Sequence, residues 1–251
     1  MIIDAHVHLH CRPDFADMEQ KAEELLECFR LPGISKSVLM KSGARYETRA
    51  DMTAQAEALV NVDKKYPDKF LPLIYTNCVL DPDFLITLTE KYVLHGPLAG
   101  IKMTIYMNYR DPRLERFFAF LETSNIPVLL HAWYKTTHKC LFESDPADIC
   151  HVANRHPNLR ILMAHLTGCR LRGIQDIKRH ANIRIDTSGS QPEDGFLAYA
   201  LDELGPDRIL YGSDYPGRDI ATQLGRIASI GLSAGDRDKI LYKNALNFFG
   251  K

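Results

Sequence analysis

Residues 1–10 read MIIDAHVHLH, a run in which branched apolar residues precede two histidines that lie two positions apart. Branched apolar residues favour a β-strand. Side chains on a strand alternate between its two faces, so His6 and His8 point the same way, together with Asp4 and His10. Two imidazoles on one strand face can bind a single metal ion, and imidazole nitrogen suits zinc, iron and other transition metals.

Three later segments repeat this arrangement, in which an apolar strand pattern ends in a side chain that can bind metal. They are IPVLLH at residues 126–131, ILMAH at residues 161–165 and ILYGSD at residues 209–214. A single His-x-His pair is weak evidence, but ligand types that end several strands are hard to explain as core histidines. The pattern therefore predicts one site that includes His131, His165 and Asp214.

Apolar strand patterns alternate with amphipathic helix patterns along the chain, and the strands read as continuous apolar runs, which is typical of parallel strands covered on both faces. Eight such units in 251 residues predict a closed (β/α)8 TIM barrel with an extra C-terminal helix, as a single domain over residues 1–251. A doubly wound open sheet is the alternative. The predicted helices include residues 17–30, 53–66, 171–180 and 193–204.

Composition argues against several classes of function. The net charge of −1 gives no electrostatic case for binding nucleic acid, and the longest apolar runs are too short to span a bilayer. The six cysteines form no Cys-x-x-Cys pair, and no signal peptide is evident. These features predict reduced thiols in a cytoplasmic protein. The oligomeric state stays open, and a homo-oligomer is compatible with the sequence.

The carboxyl ends of the strands of a barrel meet at one mouth, where the histidines and Asp214 would converge. Three or four nitrogen and oxygen ligands with one open position describe a catalytic transition-metal site. A metal in such a site lowers the pKa of bound water towards about 7 and polarises carbonyl oxygens. A neighbouring His or Asp can carry a proton from the attacking water to the leaving group.

These motifs together resemble the amidohydrolase superfamily. The opening DAHVH at residues 4–8 and the GSDYP at residues 212–216 are most similar to its amidohydrolase-related, or type 2, branch. The resemblance implies one divalent metal, most often zinc, in a mononuclear site. By position, it implies that His165 activates the bound water or polarises the substrate, and that the metal ligands are His6, His8, His131 and Asp214.

Lys102 ends the predicted fourth strand and allows three interpretations. Superfamily members with two metals often carry a carboxylated lysine on that strand, and His165 would then bind a second metal. The interpretation that we favour is an ammonium group that binds a substrate carboxylate. The third is a lysine that extends out of the barrel mouth into solvent.

Other candidates for substrate binding are less specific. Trp133 is the only tryptophan and is predicted either as a pocket wall or as ordinary packing. Asp186 and Ser188 end the predicted seventh strand and are candidates for ligand contact. Cations on the predicted loops at the mouth suggest a small substrate that bears a carboxylate, with Arg218 the best single candidate; they are Arg12, Arg45, Arg110, Lys135, Arg170 and Arg218.

The leading hypothesis is a metal-dependent hydrolase that acts on a small carboxylate-bearing lactone, ester or amide. The alternative is a lyase on the same site, because the branch includes non-oxidative decarboxylases of aromatic or unsaturated acids and hydratases. A TatD-like nuclease is a further hypothesis, but it would carry a glutamate where this chain has Lys102 and a different final motif. The last hypothesis is a barrel that binds a ligand without catalysing a reaction.

Overall fold

Eight parallel strands form one sheet in the described part of the chain, with each strand hydrogen-bonded to the next in sequence order. The structure is a computed structural model, and it describes residues 1–42, 47–103, 105–135, 141–189 and 194–250. The strands are β1 (Ile3–Leu9), β2 (Lys36–Lys41), β3 (Phe70–Thr76), β4 (Gly100–Met103), β5 (Val128–Leu130), β6 (Ile161–Met163), β7 (Ile183–Asp186) and β8 (Ile209–Leu210).

The sheet closes where the chain after β8 meets β1. The backbone N–H of Ala5 donates to the carbonyl of Tyr211 at 2.8 Å, and that of His8 donates to the carbonyl of Tyr215 at 2.7 Å. In the opposite direction, the N–H of Asp214 donates to the carbonyl of His6 at 2.8 Å. This closure confirms the predicted barrel and rules out the doubly wound open sheet.

Helices follow the strands and cover the outside of the barrel. Aspartates cap the first turns of several of them, including Asp81, Asp145 and Asp219, whose carboxylates accept hydrogen bonds from the free N–H groups. The helices are α1 (Met18–Arg30), α2 (Arg49–Lys65), α3 (Pro82–Thr89), α4 (Glu115–Thr123), α5 (Pro146–Arg155), α6 (Leu166–Ile177), α7 (Phe196–Leu204), α8 (Ile220–Ala228), α9 (Ala234–Asp238) and α10 (Asn244–Phe249).

Two predicted helix starts differ from the structure. Helix α2 begins at Arg49 rather than at residue 53, because Thr48 and Asp51 form a reciprocal capping box that adds a turn. Helix α6 begins at Leu166 rather than at residue 171, and its first turn is set off by the non-helical backbone of Arg170. The predicted start of α7 at residue 193 lies outside the described residues. No described helix has the length and apolarity needed to cross a bilayer.

The barrel interior is a compact apolar cluster that includes Ile3, Val38, Leu129 and Leu210. The last helix, α10, belongs to the same cluster through Phe248 and Phe249, which are 0 % and 1 % exposed. Their rings pack edge to face with centroids 4.8 Å apart. The extra C-terminal helix therefore contributes aromatic packing to the barrel core.

Replacement of Phe248 by alanine should destabilise the protein by about 3–5 kcal/mol, because it leaves a cavity in the interior cluster. The matched control is Leu246→Ala on the same helix, where the side chain is 36 % exposed, and its effect should be about 1 kcal/mol or less. Urea unfolding followed by circular dichroism measures both. Equal effects of the two changes would show that α10 does not pack into the core as described.

Candidate active site

Three of the predicted metal ligands converge where β1 meets the end of β8. His6 and His8 present their Nε2 atoms to each other at 3.1 Å. The Oδ1 atom of Asp214 lies 3.7 Å from Nε2 of His6 and 3.5 Å from Nε2 of His8. Each residue thus offers one ligand atom, and all three atoms lie within 4.8 Å of one another.

The other two predicted histidines form a second pair beside this group. Nδ1 of His131 lies 3.1 Å from Nε2 of His165. The ring of His165 also lies 5.0 Å from the ring of His6, centroid to centroid, so it stands between the two groups. The structure therefore brings all five predicted residues to one end of the barrel, with His131 nearest to His165.

Asp186, at the end of β7, orients two of these imidazoles. Its Oδ2 atom lies 2.7 Å from Nδ1 of His6. Its Oδ1 atom accepts hydrogen bonds from the backbone N–H of His165 at 3.0 Å and from the hydroxyl of Ser188. Both Asp186 and Ser188 are fully buried, so they act on the histidines. The expectation that they contact ligand stays a prediction, and Asp186 also forms a group with His6 and His165 whose possible ligand atoms lie within 4.8 Å of one another.

The hydrogen-bond network assigns the tautomers. The hydroxyl of Ser188 donates to Asp186, so its oxygen accepts from Nδ1–H of His165 at 2.9 Å. Nε2 of His131 lies 2.7 Å from Oε1 of Glu143 and donates to that carboxylate. Nε2 of a neutral His165 and Nδ1 of a neutral His131 then face each other with lone pairs.

Burial keeps the imidazoles uncharged. It lowers the pKa of His6, His8 and His165 well below the usual value, and it lowers the pKa of His131, where the carboxylate of Glu143 opposes the shift. Facing lone pairs cannot hydrogen bond with each other. A cation between them satisfies both, so this donor set of neutral imidazole nitrogens and a carboxylate fits a divalent metal.

Asp214 and Asp4 have different tasks at the seam between β1 and β8. Burial raises the pKa of Asp214 to about 6, and the nearby ammonium of Lys102 opposes that shift. Asp4 accepts the backbone N–H of His6 at 3.1 Å and that of Ser213 at 2.9 Å through the same oxygen. Asp4 therefore fixes the two strands that carry the ligands.

Lys102 points into the site from β4. Its side chain is 1 % exposed, which excludes the interpretation of a lysine that extends into solvent. Nζ lies 3.4 Å from Nε2 of His6, and burial lowers the pKa of Lys102 to about 8 although Asp186 and Asp214 oppose the shift. A cation is thus held beside the imidazole cluster.

Trp133 and Arg218 both lie at the mouth. The indole of Trp133 stacks on the ring of His131 at 6.3 Å and lies 5.1 Å from that of His165, while Gly168 approaches the indole so closely that any Cβ would clash. Arg218 is half-buried, and its charge opposes the rise that burial causes in the pKa of Asp214. Their roles in substrate binding stay predictions.

Two of the remaining loop cations are engaged outside the site, and a third contacts a carboxylate of the site. Arg12 pairs with Asp14 on the surface, and Arg110 pairs with Asp148. Lys135 lies 2.9 Å from Oε1 of Glu143. Arg45 lies outside the described residues.

Glu143 is a residue that the sequence did not single out. Its side chain is 1 % exposed, and it contacts both His131 and Lys135. It lies within a long predicted loop, twelve positions after His131, so no strand or helix pattern marks it. The only local signal is an acid in a loop that follows a candidate ligand.

A family model described as amidohydrolase, Amidohydro_2, matches residues 3–251. The chain belongs to this amidohydrolase family. A divalent metal is expected for the family, which agrees with the donor set of this family member. Among curated protein sequences, none matches the chain significantly.

Solved structures with the same fold include several decarboxylases. The 5-carboxyvanillate decarboxylase of Sphingomonas paucimobilis has a TM-score of 0.79 and 14% identity, over 99% of this chain and 98% of that one. The 2,6-dihydroxybenzoate decarboxylase of Rhizobium has a TM-score of 0.76 and 19% identity, over 99% and 98%. A dihydroxybenzoic acid decarboxylase of Polaromonas with bound manganese has a TM-score of 0.77 and 16% identity, over 99% and 96%. At such identities the likeness shows the barrel fold.

Elemental analysis of the purified protein should find about one divalent metal per chain. His6→Ala, His8→Ala and His131→Ala should each remove most of it, because each takes away a neutral nitrogen ligand. Lys102→Ala should retain the metal if the lysine is not a ligand. The control is His95→Ala, an exposed histidine. About two metals per chain that fall when Lys102 is removed would instead indicate a carboxylated lysine that bridges a metal pair.

Glu143→Gln should weaken metal binding by about 10- to 100-fold, because the carboxylate holds the tautomer and orientation of His131. Competition with a graded series of chelators measures the affinity. The matched control is Glu122→Gln, since Glu122 lies 3.2 Å from Nδ1 of His156, which is also buried but outside the cluster. Unchanged affinity in Glu143→Gln would contradict this role of the Glu143 carboxylate.

Proposed function

We propose that this protein is a metal-dependent enzyme that acts on a small carboxylate-bearing substrate, and that it removes the carboxylate of an aromatic or unsaturated acid as carbon dioxide. The observation that carries this proposal is the buried ammonium of Lys102 beside the imidazole cluster. Such an anchor is what a substrate carboxylate needs at the point where the reaction takes place.

The ammonium group of Lys102 has hydrogen-bond donors that its contacts in the described part of the chain do not use. An ammonium group has three donors, and its hydrogen bond in the described part of the chain is the one to Nε2 of His6. The carboxylates of Asp186 and Asp214 act on this charge from nearby, and the donors that they leave unused can bind a further anion. A substrate carboxylate supplies that anion. Arg218 offers a second positive charge nearer the surface.

Decarboxylation requires the bond between the carboxylate carbon and its neighbour to break, with the electron pair left on the neighbouring carbon, which then takes up a proton. Asp214 is our candidate for the group that delivers that proton, because its Oδ1 faces His6 and His8 and leaves the second carboxyl oxygen for the substrate. His165 lies next to His131 and His6 and can orient the substrate. A divalent metal held by His6, His8, His131 and Asp214 would supply positive charge that stabilises the anionic substrate. Zinc remains our prediction for that metal.

The fold relatives support this reaction over hydrolysis. Three proteins with the same barrel are named as decarboxylases of aromatic acids, and one of them contains manganese. The proposal therefore reverses the order of the two leading hypotheses from the sequence. Trp133 offers a flat aromatic wall beside His131, and stacking on such a wall suits an aromatic or unsaturated acid.

Hydrolysis of a lactone, ester or amide is the second candidate. It is favoured by the position of Asp214, whose carboxylate lies within 3.7 Å of both His6 and His8. A base beside the metal ligands is what the activation of a water molecule requires. A nuclease is not proposed, because a buried lysine stands on β4.

The metal-loaded protein should release carbon dioxide from at least one member of a panel of aromatic and unsaturated acids. Lys102→Met should lower kcat/KM by about 100-fold or more, since it removes a charge-assisted contact in a buried site. Lys243→Met is the control, because Lys243 pairs with Asp238 on the surface. The acids are labelled at the carboxyl carbon, and the carbon dioxide that they release is measured as labelled bicarbonate. Turnover of a lactone or ester panel without loss of carbon dioxide would establish the hydrolase instead.

A further inference from the structure

We infer that Glu47 determines specificity by accepting a hydrogen bond from a neutral donor group of the substrate, at the end away from the reacting carboxylate. This inference rests on the proposed function, which places the substrate carboxylate beside Lys102. It assigns a role to the half of the barrel mouth that the imidazole cluster does not use.

A pocket of about 450 Å³ lies beside the carboxyl ends of β2, β3 and β4. Polar and apolar groups line it together, which is typical of a site that orients a small ligand. Glu47 follows β2, Asn77 follows β3 and Tyr106 follows β4, while Val79 and Phe142 add apolar surface.

Glu47 is buried, and only one of its two carboxylate oxygens has a hydrogen-bond partner among the described residues. Its side chain is 4% exposed, and its Oε1 atom accepts from the ammonium of Lys41. Asn77 fixes the same residue by donating to its backbone carbonyl at 2.8 Å. The Oε2 atom receives no hydrogen bond from the described residues. A buried carboxylate oxygen without a donor is destabilising, so the ligand is the natural source of the missing donor.

The charges around the pocket favour a neutral donor over an ammonium group. Glu47 is already paired with Lys41, and Asp111 is paired with Arg113. An additional cation at Oε2 of Glu47 would stand close to the ammonium of Lys41 without a carboxylate of its own. A hydroxyl or an amide N–H meets the acceptor without that repulsion.

Aromatic side chains connect the pocket to the imidazole cluster. The ring of His8 lies 6.0 Å from that of Tyr75, and the ring of Tyr75 lies 6.4 Å from that of Tyr106, which lines the pocket. Burial raises the pKa of Tyr106, and the negative charge of Glu47 adds to that shift. A flat substrate can therefore lie along these rings with its two polar ends at Lys102 and Glu47.

Isothermal titration of the metal-loaded protein with matched acids tests this role without requiring turnover. The probes are benzoate, 3-hydroxybenzoate, 4-hydroxybenzoate, cinnamate and 4-hydroxycinnamate. At least one hydroxy acid should bind about tenfold or more tightly than its parent, as a hydrogen bond to a charged acceptor predicts. Glu47→Gln should abolish that advantage while binding of the parent acid persists, because the amide turns a donor towards the pocket.

Two further variants guard against loss of folding and unspecific effects. Glu47→Gln leaves Lys41 without its carboxylate, so the double variant Lys41→Met with Glu47→Leu removes the ion pair as a unit. It should lose the hydroxyl advantage as well. Glu115→Gln, which makes the same change at a carboxylate paired with Arg155 on the outside of the barrel, should keep it.

The outcomes separate this inference from the proposed reaction. The role of Glu47 is overturned if no hydroxy acid binds the unmodified protein more tightly than its parent acid does. It is also overturned if this tighter binding survives in both Glu47 variants. A Glu47-dependent advantage without release of carbon dioxide from any acid overturns the proposed decarboxylation and leaves the role of Glu47 standing. Release of carbon dioxide without tighter binding of any hydroxy acid supports the proposed decarboxylation and overturns the role of Glu47.

Discussion

Uncharged imidazoles, held with their lone pairs facing inward, are the constraint on which the site depends. Each orienting group lies behind the cluster and accepts the N–H that points away from it, as Asp186 does for His6 and Glu143 does for His131. Burial makes protonation unfavourable, so the inward nitrogens cannot relieve their repulsion by taking up protons. A bound divalent cation would satisfy these inward nitrogens together, whereas the ammonium of Lys102 lies 3.4 Å from Nε2 of His6.

Closure of the barrel creates this constraint. The strands that supply most of the cluster are first and last in the chain, and they meet only because β1 pairs with the segment after β8. Asp4 ties that seam by accepting from the backbone of both His6 and Ser213. At the strand ends, His165 and Asp214 adopt positive φ angles of 72° and 63°. Such strained backbone persists where surrounding contacts fix it, and it is common at functional sites.

Much of this could be read from the sequence, and the part that could not has a physical cause. Strand periodicity and a ligand type at each strand end are local signals, so the barrel and the positions of His6, His131 and Asp214 were predictable. Glu143 lies in a loop, where no periodic pattern marks a side chain that folds back onto His131. The hydrogen bond between Asp186 and the backbone of His165 forms because β7 lies beside β6. Only the tertiary structure brings these two residues together.

The mouth of the barrel divides into two chemically distinct halves. The ends of β1, β5, β6 and β8 supply the imidazoles and Asp214. The ends of β2, β3 and β4, with the loops that follow them, supply aromatic surface and the ion pair of Lys41 with Glu47. Lys102, on β4, stands at the border between them. The rings of Tyr75 and Tyr106 join the two halves, with that of Tyr75 6.0 Å from the ring of His8. In the proposed function, the first half would therefore carry the reaction and the second half would select the acid.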